Sequence, residues 1–178
     1  DVADAALSPD GRYLAYVADK AGRRSLTVRQ VATGSDVVIV PPGEARVEFP
    51  SFSPDGNYLY YTAPRPDRQS YRTLYQVPSL GGRPNEIAFD VDSRASVSPD
   101  GKQLVVARNS LAPRRGRLIV VDIGTKQERV LAEVALPSRL LGSPAWSPDG
   151  ERIAAALGDT GPGLEATIAL FDPRDGRR

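Results

Sequence analysis

The sequence predicts an all-β fold assembled from repeated four-stranded antiparallel units, on three observations. The tetrapeptide Ser-Pro-Asp-Gly stands four times, at Ser8–Gly11, Ser53–Gly56, Ser98–Gly101 and Ser147–Gly150. Successive copies are 45, 45 and 49 residues apart, a period that belongs to propellers and solenoids. Each copy separates two runs rich in β-branched, aromatic and aliphatic residues, and no segment keeps a helical period over the roughly ten residues a helix needs. Glu128–Leu141 comes nearest to one, and Pro137 breaks it. Together these read as a β-propeller with four repeats, the last incomplete. It is expected as a single partial domain over 1–178, with blades at about 3–47, 48–93, 94–142 and 143–178.

Within each unit the elements follow in one order. An apolar residue precedes the tetrapeptide (Leu7, Phe52, Val97, Trp146), and Leu or Ile recurs at one register after it (Leu14, Leu59, Leu104, Ile153). The tetrapeptide between them is a hairpin turn. Pro presets φ for the first turn position, Asp can bond nearby backbone N–H groups, and Gly takes a left-handed conformation at no steric cost. A variable loop and a third strand follow: Leu26–Val31, Thr73–Val77, Leu118–Asp122 and Thr167–Phe171. After a Gly turn, a fourth strand is expected in three units, at Val37–Val40, Glu86–Phe89 and Glu128–Leu131. The strand count is therefore four, four, four and three. Alternation is blurred in Tyr58-Leu59-Tyr60-Tyr61 and Leu104-Val105-Val106-Ala107, which suits a sheet covered on both faces. Such a unit is too small to bury its faces alone and must stack on its neighbours.

Composition bounds the chemistry. Lys and Arg total 23 and Asp and Glu 22, for a net charge of +1, which makes no global case for nucleic acid or an anionic membrane. There is no Cys and no His. Disulfides, thiolate nucleophiles and a Ser-His-Asp triad within this chain are excluded. No apolar run approaches the roughly 20 residues of a membrane span. The chain contains no Met and begins at Asp1, which reads as a piece of a longer polypeptide.

Phe52-Ser53-Pro54-Asp55-Gly56 and Trp146-Ser147-Pro148-Asp149-Gly150, each followed by a Leu- or Ile-centred strand, resemble the TolB-type, WD-repeat-like β-propeller over essentially the whole chain. Val77–Pro84, with Asp90-Val91-Asp92-Ser93 and the third repeat, looks like propellers attached to bacterial serine/threonine protein kinases and related sensors. The resemblance implies a fold and no shared catalytic residues. It also implies that four blades are part of one ring.

Other motifs have bland readings. The hydrolase elbow Gly-x-Ser-x-Gly is missing. Gly158-Asp159-Thr160-Gly161-Pro162-Gly163 is Gly-rich, but no Gly-Lys-Ser/Thr follows, so it reads as a loop. Asp90-Val91-Asp92-Ser93 lacks the Gly and bidentate Glu of a calcium loop and is expected to cap a connection between blades. No cofactor, metal or catalytic residue is therefore assigned.

The loops between second and third strands are the candidate binding surface. The first carries Lys20, Arg23 and Arg24 against Asp19, and the second Arg65, Arg68 and Arg72 against Asp67. The third carries Arg114, Arg115 and Arg117 with no acid in the loop, and the fourth Asp159 and Glu165 with no base. Equivalent loops of a propeller emerge on one face, so a basic sector is expected beside an acidic one. Aromatics for stacking on bases are sparse there, which disfavours single-stranded nucleic acid. The expected function is a non-catalytic interaction or sensor module of a larger bacterial protein, binding an acidic protein or peptide partner, outside the cytoplasmic membrane. The alternatives are the gating propeller of a prolyl-oligopeptidase-like hydrolase and a TolB-like periplasmic scaffold. Self-association through the incomplete blade is also expected, because an unpaired sheet edge invites pairing.

Overall fold

The computed structural model describes residues 1–111, 114–135, 138–159 and 166–178. These form four antiparallel sheets, three of four strands and the last of three. The fold class is thus the all-β propeller that the repeat predicts, with the expected strand count. The chain divides into two compact units, Asp1–Asp90 and Val91–Arg178.

The N-terminal unit holds two sheets. The first is β1 (Val2–Leu7), β2 (Tyr13–Lys20), β3 (Arg23–Gln30) and β4 (Asp36–Gly43). The second is β5 (Glu48–Phe52), β6 (Tyr58–Arg65), β7 (Arg68–Pro78) and β8 (Asn85–Phe89). In the C-terminal unit the third sheet is β9 (Ser96–Val97), β10 (Gln103–Leu111), β11 (Arg114–Asp122) and β12 (Glu128–Ala135). The last is β13 (Ser138–Trp146), β14 (Ile153–Asp159) and β15 (Ala166–Phe171). Every sheet meanders up and down in chain order.

The four tetrapeptides adopt one structure. The Ser hydroxyl donates to the Asp two residues on, at 2.6, 2.5, 2.6 and 2.6 Å, and accepts the backbone N–H five residues on, at 2.9 Å in every copy. The same Asp oxygen accepts the N–H of the residue after Gly, at 2.9 to 3.1 Å. Gly11, Gly56, Gly101 and Gly150 stand at φ of 72 to 78°, where only Gly is free of a Cβ penalty. Each hydroxyl is thereby spent on its own turn. In all four, the Ser hydrogen bond leads in holding the Asp carboxyl below its ordinary pKa. A depressed carboxyl contributes stability that is present above its unfolded pKa and lost as pH falls through the folded one. The melting temperature is therefore expected to fall with pH below about 4. Asp100→Asn keeps an acceptor but cannot titrate, and it should flatten that fall. An unchanged profile in circular dichroism melts would refute the assignment.

The core of each unit lies between its two sheets. In the N-terminal unit Ala15, Val17, Leu26 and Val28 pack with Val47, Leu59, Tyr61 and Val77, and Tyr61 stacks on Tyr75 at 5.4 Å. In the C-terminal unit Val105, Leu118, Val120 and Leu131 pack with Leu140, Ile153, Leu157 and Phe171. Each large side chain so buried stabilises the unit by about 1.5–3 kcal/mol, a gain that a lone sheet forgoes. Residues 59–63 are all buried, as are residues 104–107. That explains the blurred alternation of those strands.

The connections between second and third strands differ from expectation. In the first three sheets the paired strands run well into the expected variable loops, and residues 160–165 of the fourth connection lie outside the described residues. Lys20 pairs directly with Arg23, leaving only Ala21 and Gly22 between strands, both at positive φ. β7 begins at Arg68 rather than near Thr73, β11 at Arg114 rather than Leu118, and β12 runs on to Ala135. The polar, Arg-rich composition that reads as loop is here the end of a ladder, whose charges pair across strands.

Candidate functional site

The nine basic residues singled out above all lie on the outer hairpins of three sheets, at strand ends or in strands. Each unit has its own arrangement.

In the N-terminal unit Glu48 gathers three guanidinium groups. Arg24 of β3 donates to Oε1 at 2.9 Å, Arg46 of the β4–β5 connection to Oε1 at 2.6 Å, and Arg72 of β7 to Oε2 at 2.8 Å. Arg24 also holds Asp19 at 3.1 Å. The Glu48 side chain is 12% exposed, whereas Arg46 is 65% exposed. Burial alone would raise the Glu48 carboxyl. The Arg46 hydrogen bond, the Arg72 charge and the Arg24 hydrogen bond outweigh it, and the pKa lies below the ordinary value. The next residue, Phe49, stands at φ 58°, a conformation that bulky residues avoid. Its N–H is held by the Asp4 carboxylate at 3.1 Å and its ring lies under Arg72 at 5.8 Å. A strand irregularity between Glu48 and Ser51 accompanies it. Arg24 and Arg72, expected as loop cations set against Asp19 and Asp67, are thus anchored to the buried Glu48 carboxylate, and Arg24 keeps Asp19 as well.

The hairpin ends carry cations that face each other. Lys20 is opposite Arg23, and Arg65 is opposite Arg68. Like charges directly across a ladder destabilise it. Arg65 is relieved by Asp67 at 3.1 Å and Glu86 at 3.3 Å. Arg23 donates to the Pro42 carbonyl at 3.1 Å and Arg68 lies over the Phe89 ring at 5.3 Å. Lys20, Arg23 and Arg68 have no carboxylate partner among the described residues. A cleft of about 430 Å³ lies between the β4–β5 connection (Glu44, Ala45, Arg46) and the β6–β7 end (Pro64, Arg65, Pro66, Gln69).

In the C-terminal unit Arg115 and Arg117 share Glu133 of β12, at 2.5 and 2.8 Å. The Arg117 hydrogen bond, against the opposing effect of burial, leads in holding the Glu133 carboxyl low, with Arg115 adding to it. The sequence shows no acid within this loop. Glu133 lies 16 residues beyond Arg117 and meets it only through the β11–β12 register. Arg114 pairs with Leu111 in the backbone ladder. The side chains of Arg114 and Asp159, residues 160–163 of the Gly-rich stretch and Glu165 lie outside the described residues. Asp92 and Ser93 accept the N–H groups of Asn109 and Ala107 at 2.8 Å each. They are backbone anchors of β10.

These features define a β-propeller whose outer hairpins present unevenly neutralised cations. No family model matches the chain, and no curated protein matches it. Solved structures do. TolB from Acinetobacter baumannii is 23% identical with a TM-score of 0.78, over 99% of this chain and 42% of that one. A putative TolB from Agrobacterium tumefaciens is 24% identical with a TM-score of 0.71, over 94% and 57%. A prolyl endopeptidase is 20% identical with a TM-score of 0.71, over 100% and 28%. At these identities the likeness is one of fold. The chain spans between 28% and 57% of the length of the three.

Proposed function

We propose that this chain is a non-catalytic interaction module of a larger bacterial sensor, and that its hairpin ends dock an acidic protein or peptide segment. The observation that carries the reading is that Lys20, Arg23 and Arg68 stand opposite other cations at two hairpin ends and have no carboxylate partner among the described residues. Such pairs cost stability when free and are relieved by a bound anion. A blocked hexaglutamate peptide is expected to bind the chain at low salt and to lose affinity several-fold at physiological salt, where charges more than about 8 Å apart are screened. Salt-independent binding, or none, would overturn the proposal. Attachment to a kinase region is tested by the coding sequence upstream, where a kinase domain and a membrane span are expected. No helix among the described residues is long and apolar enough to cross a membrane.

The likeness to a prolyl endopeptidase favours one alternative, a propeller that gates a hydrolase domain elsewhere in the polypeptide. A Gly-x-Ser-x-Gly domain in the same gene would establish it.

The incomplete sheet also bears on partners. β15 is the last strand of its sheet, and Ile168 and Leu170 on it are exposed. An apolar, uncharged edge of this kind pairs with other strands. We propose that it pairs with a second copy. Sedimentation velocity is expected to show concentration-dependent association that Leu170→Lys abolishes. A strictly monomeric wild-type chain would refute this.

A further inference from the structure

The C-terminal unit holds a second cleft, of about 420 Å³, between the tetrapeptide turns of its two sheets, at the opposite end of the strands from the β10–β11 hairpin. Trp146, Pro99 and Pro173 line it. We infer that this cleft is a binding site for an extended, proline-containing peptide. The inference is independent of the basic hairpin ends.

The walls are prearranged. The two turns abut: a Cβ on Gly150 would lie 3.8 Å from the Pro99 ring. Trp146 is held at both polar points, its backbone N–H by the Ser96 hydroxyl at 2.9 Å and its indole N–H by the Gly150 carbonyl at 3.2 Å. Its ring therefore contributes apolar surface rather than a free donor. Arg129 donates to the Pro173 carbonyl at 2.7 Å, which fixes the C-terminal turn against β12. A site already held in place loses little entropy on binding.

The polar groups identify the ligand class. Asp100 and Asp149 line the cleft with Arg129 and Arg174, so the lining charges cancel. A polyanion would need surplus cations, and a cationic ligand surplus carboxylates. Each Asp spends its Oδ1 on its own turn, and its Oδ2 accepts no hydrogen bond among the described residues. Arg129 has no carboxylate partner there, whereas Arg174 is engaged by Asp172 at 2.7 Å. Free carboxylate acceptors, and a guanidinium that is bound to one backbone carbonyl and to no carboxylate among the described residues, match a peptide backbone, which offers both N–H and C=O. A polyproline II segment leaves those groups unpaired, is ordered before it binds, and lays flat rings on aromatic surfaces. The volume falls within the range of about 300–1,000 Å³ typical of ligand sites.

Trp146 is the only Trp in the chain, so its fluorescence reports this cleft alone. The 178-residue chain should be titrated with acetyl-Pro-Pro-Ala-Pro-Pro-amide and, separately, with acetyl-Gly-Ser-Gly-Ser-Gly-amide. A saturable change in emission is expected with the first and none with the second. Arg129→Ala should weaken binding by about tenfold. Calorimetry on Trp146→Phe, which keeps an aromatic ring but loses the indole hydrogen bond, should show weakened binding by a readout that does not need the fluorophore. Lys20→Glu with Arg68→Glu should leave this affinity unchanged, so failure of the hairpin-end proposal is distinguishable. No saturable change, equal responses to both peptides, or full affinity in both Arg129→Ala and Trp146→Phe would overturn the inference.

Discussion

Glu48→Ala is expected to destabilise the chain by about 2–3 kcal/mol. Removing one partner of a buried ion pair typically costs about 3–5 kcal/mol. The lower figure applies because Arg72 and Arg46 retain 31% and 65% of their side-chain exposure and are partly screened by solvent. Arg24 keeps Asp19, but Arg46 and Arg72 lose the acceptor that draws three cations together. Glu48→Gln retains an oxygen acceptor without the charge and should cost less. Both follow from urea denaturation of the purified chain. A Glu48→Ala midpoint equal to wild type would mean that this carboxylate organises nothing. The sign with pH is also defined. The Glu48 pKa is lowered, so its contribution is present above the unfolded value and disappears as pH falls through the folded one.

Gly176→Ala is the second substitution with a large expected cost, about 2–5 kcal/mol. Gly176 stands at φ 74°, and an added methyl would run into the Leu131 carbonyl of β12. The left-handed conformation alone costs an L-residue roughly 1–2 kcal/mol, and overpacking adds about 1–3 kcal/mol. Moving the turn away from β12 would also separate Pro173 from Arg129. The neighbouring substitution Arg177→Ala removes only an exposed pair with Asp175 and should leave stability within about 0.5 kcal/mol of wild type. Equal melting temperatures for Gly176→Ala and Arg177→Ala would contradict the packing of this turn.

The hairpin turns were legible in the sequence because everything that makes them is local. Ser98, Asp100, Gly101 and the N–H of Gln103 close one network within six residues. Four copies at near-constant spacing then set the number of sheets. Strand ends were less legible. Arg115 and Arg117 read as loop because composition alone cannot show that Glu133 lies across the ladder. Glu48 was invisible for the same reason. Its three arginines come from two sheets and from the connection between them. In the sequence Trp146 is simply the apolar residue before a turn. Its role in a cleft depends on Pro99 and Pro173, which lie 47 and 27 residues away in sequence.

The candidate surface lies on paired hairpin ends rather than on variable loops, and fewer of its cations are available. Arg24, Arg65, Arg72, Arg115 and Arg117 are held by carboxylates of the chain itself. Lys20, Arg23 and Arg68 are not, and the proposed function rests on them. The most direct measurement is the affinity of hexaglutamate at low salt for the wild-type chain and for Lys20→Glu/Arg68→Glu, with circular dichroism confirming that both are folded. The proposal expects the double reversal to abolish binding. Equal affinity of the two proteins for the peptide would contradict it.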